Sequence, residues 1–456
     1  MTDIQTLYSC FLSCACVTTD SRNCPTGSLF IALKGASFNG NAFAAKALEA
    51  GSRYAVIDEP AYLPAGDSRY LLVEDCLRAL QQLANYHRRQ LATPIIGITG
   101  TNGKTTTKEL IAAVLKRQRR ILYTEGNLNN AIGVPLTLLR LKPEHELAVV
   151  EMGASHPGDI KELVDIAEPD FGLITNVGKA HLQGFGSLEG VIRTKGELYD
   201  FLRTKGDATV FIDHDNPYLM AIAEGLNLVC YGREESAVCE GSGACKELAG
   251  RATNDEGEQL AICGRITGNS PFLSLCWREA GSAEEHPVQT QLIGEYNFCN
   301  ALAAIAIGRH FGIEPQEIDA ALTTYAPTNN RSQLMQTPRN TLIIDAYNAN
   351  PTSMMAALSN FRNMQAAEKM LILGDMRELG AESAAEHQRI ANYLQEYGFK
   401  QVMLVGSEFA AARHPFPTYP DVEALKEVLL ANPPQGQTIL IKGSNGIHLN
   451  SVIDLL

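Results

Sequence analysis

Apolar and polar positions along the chain change rhythm twice, dividing it into three stretches. In the first, short apolar runs at 28–33 and 54–57 read as strands. Residues 43–50 read as a helix stopped by Gly51, and residues 76–90 as a second helix, apolar at Leu77, Leu80, Leu83 and Ala84. Thr93-Pro94 then breaks the chain. Beyond it, apolar runs at 95–99, 147–151, 171–177 and 208–212 alternate with helical patterns such as 105–116 and 188–202. Continuous apolar strands separated by helices predict a parallel sheet covered on both faces. Residues 230–290 are turn-rich, with strand-like pieces at 259–263 and 272–277. They predict an antiparallel extension, followed by a helix over 300–311. After Ala326-Pro327 the alternation restarts with strands at 342–345, 370–375, 402–406 and 439–443, a second α/β unit of Rossmann-like type. The expected domains are 1–92, 93–326 and 327–456.

Composition narrows the class. The 456 residues are 45% hydrophobic and 20% charged, which excludes collagen-like, coiled-coil and largely disordered chains. The net charge of −13 argues against sequence-independent nucleic-acid binding, which needs a basic surface. No apolar stretch approaches the ~18–20 residues of a membrane span. The N-terminus lacks the basic and apolar regions of a signal peptide, so the expected location is the cytoplasm. Eleven cysteines are scattered, and the cluster Cys10, Cys14, Cys16 and Cys24 has no paired zinc spacing. They are expected to be small apolar thiols in a reducing compartment.

The candidate chemistry sits where the central alternation begins. Gly97-Ile98-Thr99-Gly100-Thr101-Asn102-Gly103-Lys104-Thr105-Thr106 lies between a strand and a helix. Gly100 and Gly103 can aim successive N–H groups into one concavity, and the helix that follows adds its positive end. Lys104 supplies a charge for the β/γ-phosphates and Thr105 a hydroxyl for Mg²⁺. The turn is a shortened Walker A, with Ile98 where the full motif has Gly. Glu151 ends a strand at the ligand-binding edge of the sheet, where it would either hold Mg²⁺ or simply face water. His181, in a loop on the same edge, is either a ligand or a structural hydrogen-bonder. Lys195 falls on the apolar stripe of the 188–202 helix, four residues after Val191 and three before Leu198. A bare ammonium there is costly. Either the stem packs while the amine reaches water, or burial favours the neutral amine, which can add CO₂ to become an anionic carbamate ligand.

Three of these segments together carry a resemblance. Thr99-Gly100-Thr101-Asn102-Gly103-Lys104-Thr105, Asn176-Val177-Gly178-Lys179-Ala180-His181 and Lys195-Gly196-Glu197 resemble the signatures of the Mur ligases, the ATP-dependent amide-forming enzymes of peptidoglycan synthesis. Asp345-Ala346-Tyr347-Asn348-Ala349-Asn350-Pro351-Thr352-Ser353 and Leu373-Gly374-Asp375-Met376-Arg377-Glu378-Leu379-Gly380 are similar to the member that acts last, adding D-alanyl-D-alanine to a UDP-N-acetylmuramoyl-tripeptide. Thr19-Asp20-Ser21-Arg22 with Leu29-Phe30-Ile31-Ala32-Leu33-Lys34-Gly35 resembles that enzyme's UDP-binding domain.

The resemblance implies a small α/β UDP-binding domain, a central P-loop ATPase domain with an antiparallel extension, and a C-terminal Rossmann-like domain contacting dipeptide and ATP. It implies ATP and two Mg²⁺ ions as cofactors. Gly100, Thr101, Asn102, Gly103, Lys104, Thr105 and Thr106 would hold the nucleotide phosphates. Thr105 and Glu151 would bind the ATP-linked Mg²⁺, and His181 with carbamylated Lys195 the second ion near the acyl group. Lys104, His181 and Lys195 would carry the catalytic roles. Asn297 and Asn300 would flank adenine, Arg331 would reach the phosphates and Asp345 the ribose. Ser21, Arg22, Asn127, Asn129, Asn130 and Asn348 would face the substrate. Two positions depart from the family pattern: Tyr296 stands where many members carry His, and Arg331 lacks the usual preceding Gly. The expected reaction passes through an acyl phosphate, in a monomer whose domains close on ATP. A sibling ligase adding the third amino acid, folylpolyglutamate synthase and an inactive nucleotide-binding scaffold are the other readings.

Overall fold

The computed structural model describes residues 1–180, 182–234, 262–366 and 368–456. Among them, three sheets follow one another along the chain. The first is β1 (Val17–Thr18), β2 (Leu29–Ile31), β3 (Tyr54–Ile57) and β4 (Tyr70–Leu72), parallel and in that order. The Cys76–Leu91 helix leaves it, capped by Asp75 and ended by Ala92 in the left-handed conformation, which turns the chain into the central sheet.

The central sheet contains β5 (Ile95–Thr99), β6 (Ile121–Tyr123), β7 (Leu147–Glu151), β8 (Phe171–Ile174), β9 (Thr209–Asp213), β10 (Asn227–Arg233), β11 (Ile262–Asn269), β12 (Leu273–Glu279) and β13 (His286–Gln289). Their spatial order is β13-β12-β11-β10-β9-β8-β5-β7-β6. β5 lies between β7 and β8, so the chain leaves it at a switch in strand order, where α/β sheets open a crevice. From β6 to β11 the pairing is parallel, and β11-β12-β13 form the expected antiparallel extension. Of the run expected at 259–263, residues 259–261 lie outside the described residues. The third sheet is β14 (Gln333–Gln336), β15 (Thr341–Asp345), β16 (Lys369–Gly374), β17 (Gln401–Val405), β18 (Thr418–Tyr419) and β19 (Thr438–Lys442), ordered β14-β15-β19-β16-β17-β18. Only its edge strand β14 is antiparallel.

The β-strand cores are apolar on both sides. One buried cluster runs from the first sheet into one face of the central sheet, through Leu83, Leu138 and Leu163. A second fills the opposite face, where the Phe298–His310 helix, apolar almost all round, packs on the Lys104–Leu115 helix. Two more flank the third sheet.

The pattern of the sequence did not reveal the N-terminal helix Ile4–Leu12, which Asp3 caps by accepting the Thr6 N–H at 2.9 Å. β8 ends at Ile174 rather than 177, because the side chains of Thr175 and Asn176 bond the phosphate turn instead of continuing the strand. The expectation of thiols throughout fails at Cys263, which is disulfide-bonded, while eight cysteines among the described residues are free.

Candidate active site

The glycine turn between β5 and the Lys104–Leu115 helix has the geometry its residues require. Gly100 has φ +142°, and a Cβ there would lie 2.1 Å from Thr175 Oγ1. Gly103 has φ +79°, and a Cβ there would lie 2.7 Å from Asn300 Oδ1. No L-side chain fits either place. The turn is fixed from the next strand: Asn102 N–H donates to Asn176 Oδ1 at 3.0 Å, and Thr175 Oγ1 donates to Asn102 O at 2.6 Å. Lys104 folds back and donates to Gly100 O at 2.7 Å and Thr101 O at 3.1 Å. Protein atoms around its ammonium disfavour the charge, lowering its pKa to about 8; the Glu151 carboxylate opposes that shift.

Glu151, only 1% exposed, ends β7 beside the turn. Its Oε1 accepts from Thr105 Oγ1 at 3.1 Å and from Asn129 Nδ2 at 2.8 Å. Its Oε2 is buried without a hydrogen-bond partner, 3.9 Å from the Lys108 ammonium. A buried carboxylate oxygen left open, beside a hydroxyl, suits a hard cation such as Mg²⁺.

Lys195 is 2% exposed. Its amine does not reach water, so the snorkelling arrangement is not adopted. Its polar contact is a long one, 3.5 Å to Ala154 O, and it sits 5.4 Å from the centre of the Phe185 ring. Burial, and then the Lys104 charge, drive its pKa well below the usual lysine range. That is the condition under which an amine is a nucleophile toward CO₂. His181 lies outside the described residues.

Residues of the third sheet complete the cavity from across the domain boundary. Asp345, at the end of β15, accepts from Lys442 Nζ at 2.7 Å and from the Ser332 N–H at 3.3 Å. Arg331 stacks its guanidinium 3.8 Å from the centre of the Tyr347 ring. Tyr296, in the position where many family members carry His, bonds Ser332 Oγ at 2.6 Å. Asn300 Nδ2 donates to Asn297 Oδ1 at 2.9 Å, and Asn297 Nδ2 to Ile293 O at 2.9 Å.

The resulting cavity is about 720 Å³. Of the residues expected from the sequence, Thr101 to Thr106, Asn129, Asn130, Glu151, Asn297, Asn300, Arg331, Asp345 and Asn348 line it. Gly100 and Lys195 do not line it: Gly100 O accepts from Lys104, and the Lys195 amine reaches the carbonyl of Ala154, which does line it. Ser21, Arg22 and Asn127 do not line it. Arg22 is exposed on a turn and pairs with Asp20 at 2.9 Å. Asn130 Oδ1 accepts the Ile132 and Gly133 N–H groups at 3.1 and 2.8 Å, at the start of the Gly133–Leu138 helix.

Three contributors were given no role of their own from the sequence. Lys442 is 1% exposed and neutralises Asp345; its place at a strand end, before Gly443, was the available signal. Asn350 Nδ2 donates to Asn102 Oδ1 at 2.8 Å, tying the third domain to the phosphate turn. Lys108 is fully buried, donates to Thr124 O at 2.6 Å and stands one helical turn after Lys104.

Known proteins are similar to this chain over nearly its whole length. The Mur ligase family catalytic domain matches residues 14–88, the Mur ligase middle domain 98–308, and the Mur ligase glutamate ligase domain 330–445. The UDP-N-acetylmuramoyl-tripeptide--D-alanyl-D-alanine ligase of Bacillus subtilis (strain 168) is 35% identical over 448 residues, covering 96% of this chain and 92% of that one. The ligase of the same name from Escherichia coli (strain K12) is 35% identical over 446 residues, with 96% and 93% covered. The crystal structure of MurF from Acinetobacter baumannii superposes with a TM-score of 0.82 at 29% identity, covering 99% of this chain and 98% of that one. With near-complete coverage by these relatives, and with the phosphate turn, Glu151 and Asp345 gathered at one cavity, the chain belongs to the Mur ligase family.

Proposed function

We propose that this chain is an ADP-forming ligase that joins D-alanyl-D-alanine to UDP-N-acetylmuramoyl-tripeptide in peptidoglycan precursor synthesis. The observation that carries the reading is the single cavity in which Lys104, Thr105 and Glu151 of the central domain meet Arg331 and Asp345 of the third. Both curated relatives above carry this activity in their names, and neither a sibling ligase nor an inactive scaffold is favoured. No described helix is long and apolar enough to cross a membrane, and the reading places the enzyme in the cytoplasm as a monomer.

In the first step an oxygen of the tripeptide's terminal carboxylate attacks the γ-phosphorus of ATP, ADP leaves, and an acyl phosphate forms. In the second, the dipeptide amine attacks the acyl carbon, an amide forms, and phosphate leaves with the former carboxylate oxygen. The chain contributes alignment and charge neutralisation rather than a nucleophile. The turn 100–106 cradles the phosphates with backbone N–H groups. Lys104, released from Gly100 O and Thr101 O, offsets the repulsion between carboxylate and triphosphate. Arg331 reaches the phosphates from the third domain, Asn297 and Asn300 flank the base, and Asp345 bonds the ribose.

Thr105 and the open oxygen of Glu151 would hold the nucleotide's Mg²⁺, and His181 with a carbamate on Lys195 a second ion. When bound, these ions would supply Lewis-acid stabilisation of the anionic oxygens. Carbamylation adds CO₂ to the neutral Lys195 amine with loss of one proton, replacing a buried amine that makes one long hydrogen bond among the described residues by an anion. The segments 1–92, 93–326 and 327–456 act as UDP-binding, ATP-binding and dipeptide-receiving domains. Ser21 and Arg22 face the UDP end of the substrate; Asn127, Asn129, Asn130 and Asn348 face its muramoyl-peptide part. Phosphate release is the test. With ATP and UDP-muramoyl-tripeptide present, D-alanyl-D-alanine should release phosphate at least about 10-fold faster than any single amino acid. Equal or faster release with a single amino acid would contradict the reading.

A further inference from the structure

D-Alanyl-D-alanine carries two charges. Its amine is spent on the new bond, so a dipeptide is told from a single amino acid at its carboxylate, about 7 Å away along an extended chain. A guanidinium, whose fork matches both oxygens, is the best partner for it.

Most cations around the third domain's loops are already engaged. Lys442 pairs with Asp345 at 2.7 Å, Lys179 with Glu382 and Glu386 at 3.1 and 3.2 Å, and Arg389 with Glu386 at 3.4 Å. Arg331 stacks on Tyr347. The exposed Arg377 differs: among the described residues its guanidinium has no acidic partner within ion-pair distance.

Its position is nevertheless built. The Arg377 N–H donates to the buried Ser444 Oγ at 2.9 Å. Its guanidinium lies so close over Gly446 that a Cβ there would stand 2.4 Å from Nη1. On one side, the loop reaches the wall over Lys195: the Glu378 carbonyl accepts the Gln183 N–H at 3.4 Å, in the Leu182–Phe185 helix whose Phe185 ring covers the Lys195 amine. On the other, Ser444 Oγ lies 3.5 Å from Ala349 O, between the cavity-lining Asn348 and Asn350. The guanidinium is thus held on a loop bonded on one side to the helix whose Phe185 covers Lys195 and on the other to the segment that lines the cavity at Asn348 and Asn350.

We propose that Arg377 binds the terminal carboxylate of the incoming dipeptide and selects it over a single amino acid. This rests on the ligase reading above. The test compares D-alanyl-D-alanine with its C-terminal amide as acceptors for the wild type, Arg377→Gln and Arg377→Lys. The wild type should prefer the acid by about 10- to 100-fold in kcat/KM, the range for one charge-assisted hydrogen-bonded pair. Arg377→Gln should lose that factor on the acid, stay within about 3-fold on the amide, and leave the KM values for ATP and tripeptide unchanged. Arg377→Lys should fall between. A wild type indifferent to the amide, or an Arg377→Gln that weakens acid and amide equally, overturns the assignment. Should Arg377→Gln fail to fold, the wild-type preference and Arg377→Lys decide. A wild type that ligates neither acceptor removes the ligase reading itself, and this proposal with it.

Discussion

Lys195 is the residue at which sequence and structure agree most usefully. A single cationic position on an apolar helical stripe is visible without coordinates, and the structure buries its amine 3.5 Å from the carbonyl of Ala154, a residue that lines the cavity. Lys195→Ala should lower ligation by roughly 10³-fold, the scale of losing a group that stabilises transition-state charge. Short carboxylic acids should restore part of the rate by supplying the missing anion. Steady-state assays with and without added acid measure both effects, and near-normal turnover of the variant would contradict the role. Lys108 was not legible in the same way. With Lys104, Thr105 and Glu109 nearby, it reads as part of a solvated helix face. It is buried because β6 and β7 bring Thr124 and Glu151 over it, a packing that only the fold specifies.

At the scale of elements, strands were easier to read than their ends. The run 171–177, with Val177 after two polar residues, predicts a strand throughout, yet β8 stops at Ile174, where Thr175 and Asn176 turn their side chains to the phosphate loop. Tertiary hydrogen bonds decided that boundary, and no local pattern encodes them. Asn350 shows the same economy. Its Oδ1 caps the Pro351–Asn363 helix by accepting the Ser353 N–H at 2.8 Å, and its Nδ2 bonds Asn102 in the phosphate turn. The two functions separate by substitution. Asn350→Ala should cost about 1 kcal/mol of stability, the usual worth of an N-cap, and raise the KM for ATP. Asn350→Asp should keep the cap, because a carboxylate also accepts, but it should raise the KM because it cannot donate to Asn102. Denaturant unfolding and ATP titration of both variants check this. An Asn350→Asp with unchanged KM would show that the link to Asn102 does not bear on the nucleotide.

Across the whole molecule, the site exists only where two domains meet. The three α/β units and the central antiparallel extension follow from alternating apolar runs. The contacts that join the second unit to the third join residues far apart in sequence: Asn102 to Asn350, Lys179 to Glu382 and Glu386, and Tyr296 to Ser332. Periodicity cannot report such pairs; the resemblance to the Mur ligases put Arg331 and Asp345 forward as nucleotide contacts, and both line the cavity. The central claim is that this shared cavity activates a carboxylate by phosphorylation. The measurement that meets it most directly uses tripeptide substrate labelled with ¹⁸O in its terminal carboxylate, turned over with ATP and D-alanyl-D-alanine. Mass spectrometry of the released phosphate should find one labelled oxygen transferred per turnover, whereas phosphate free of label would contradict the acyl-phosphate route.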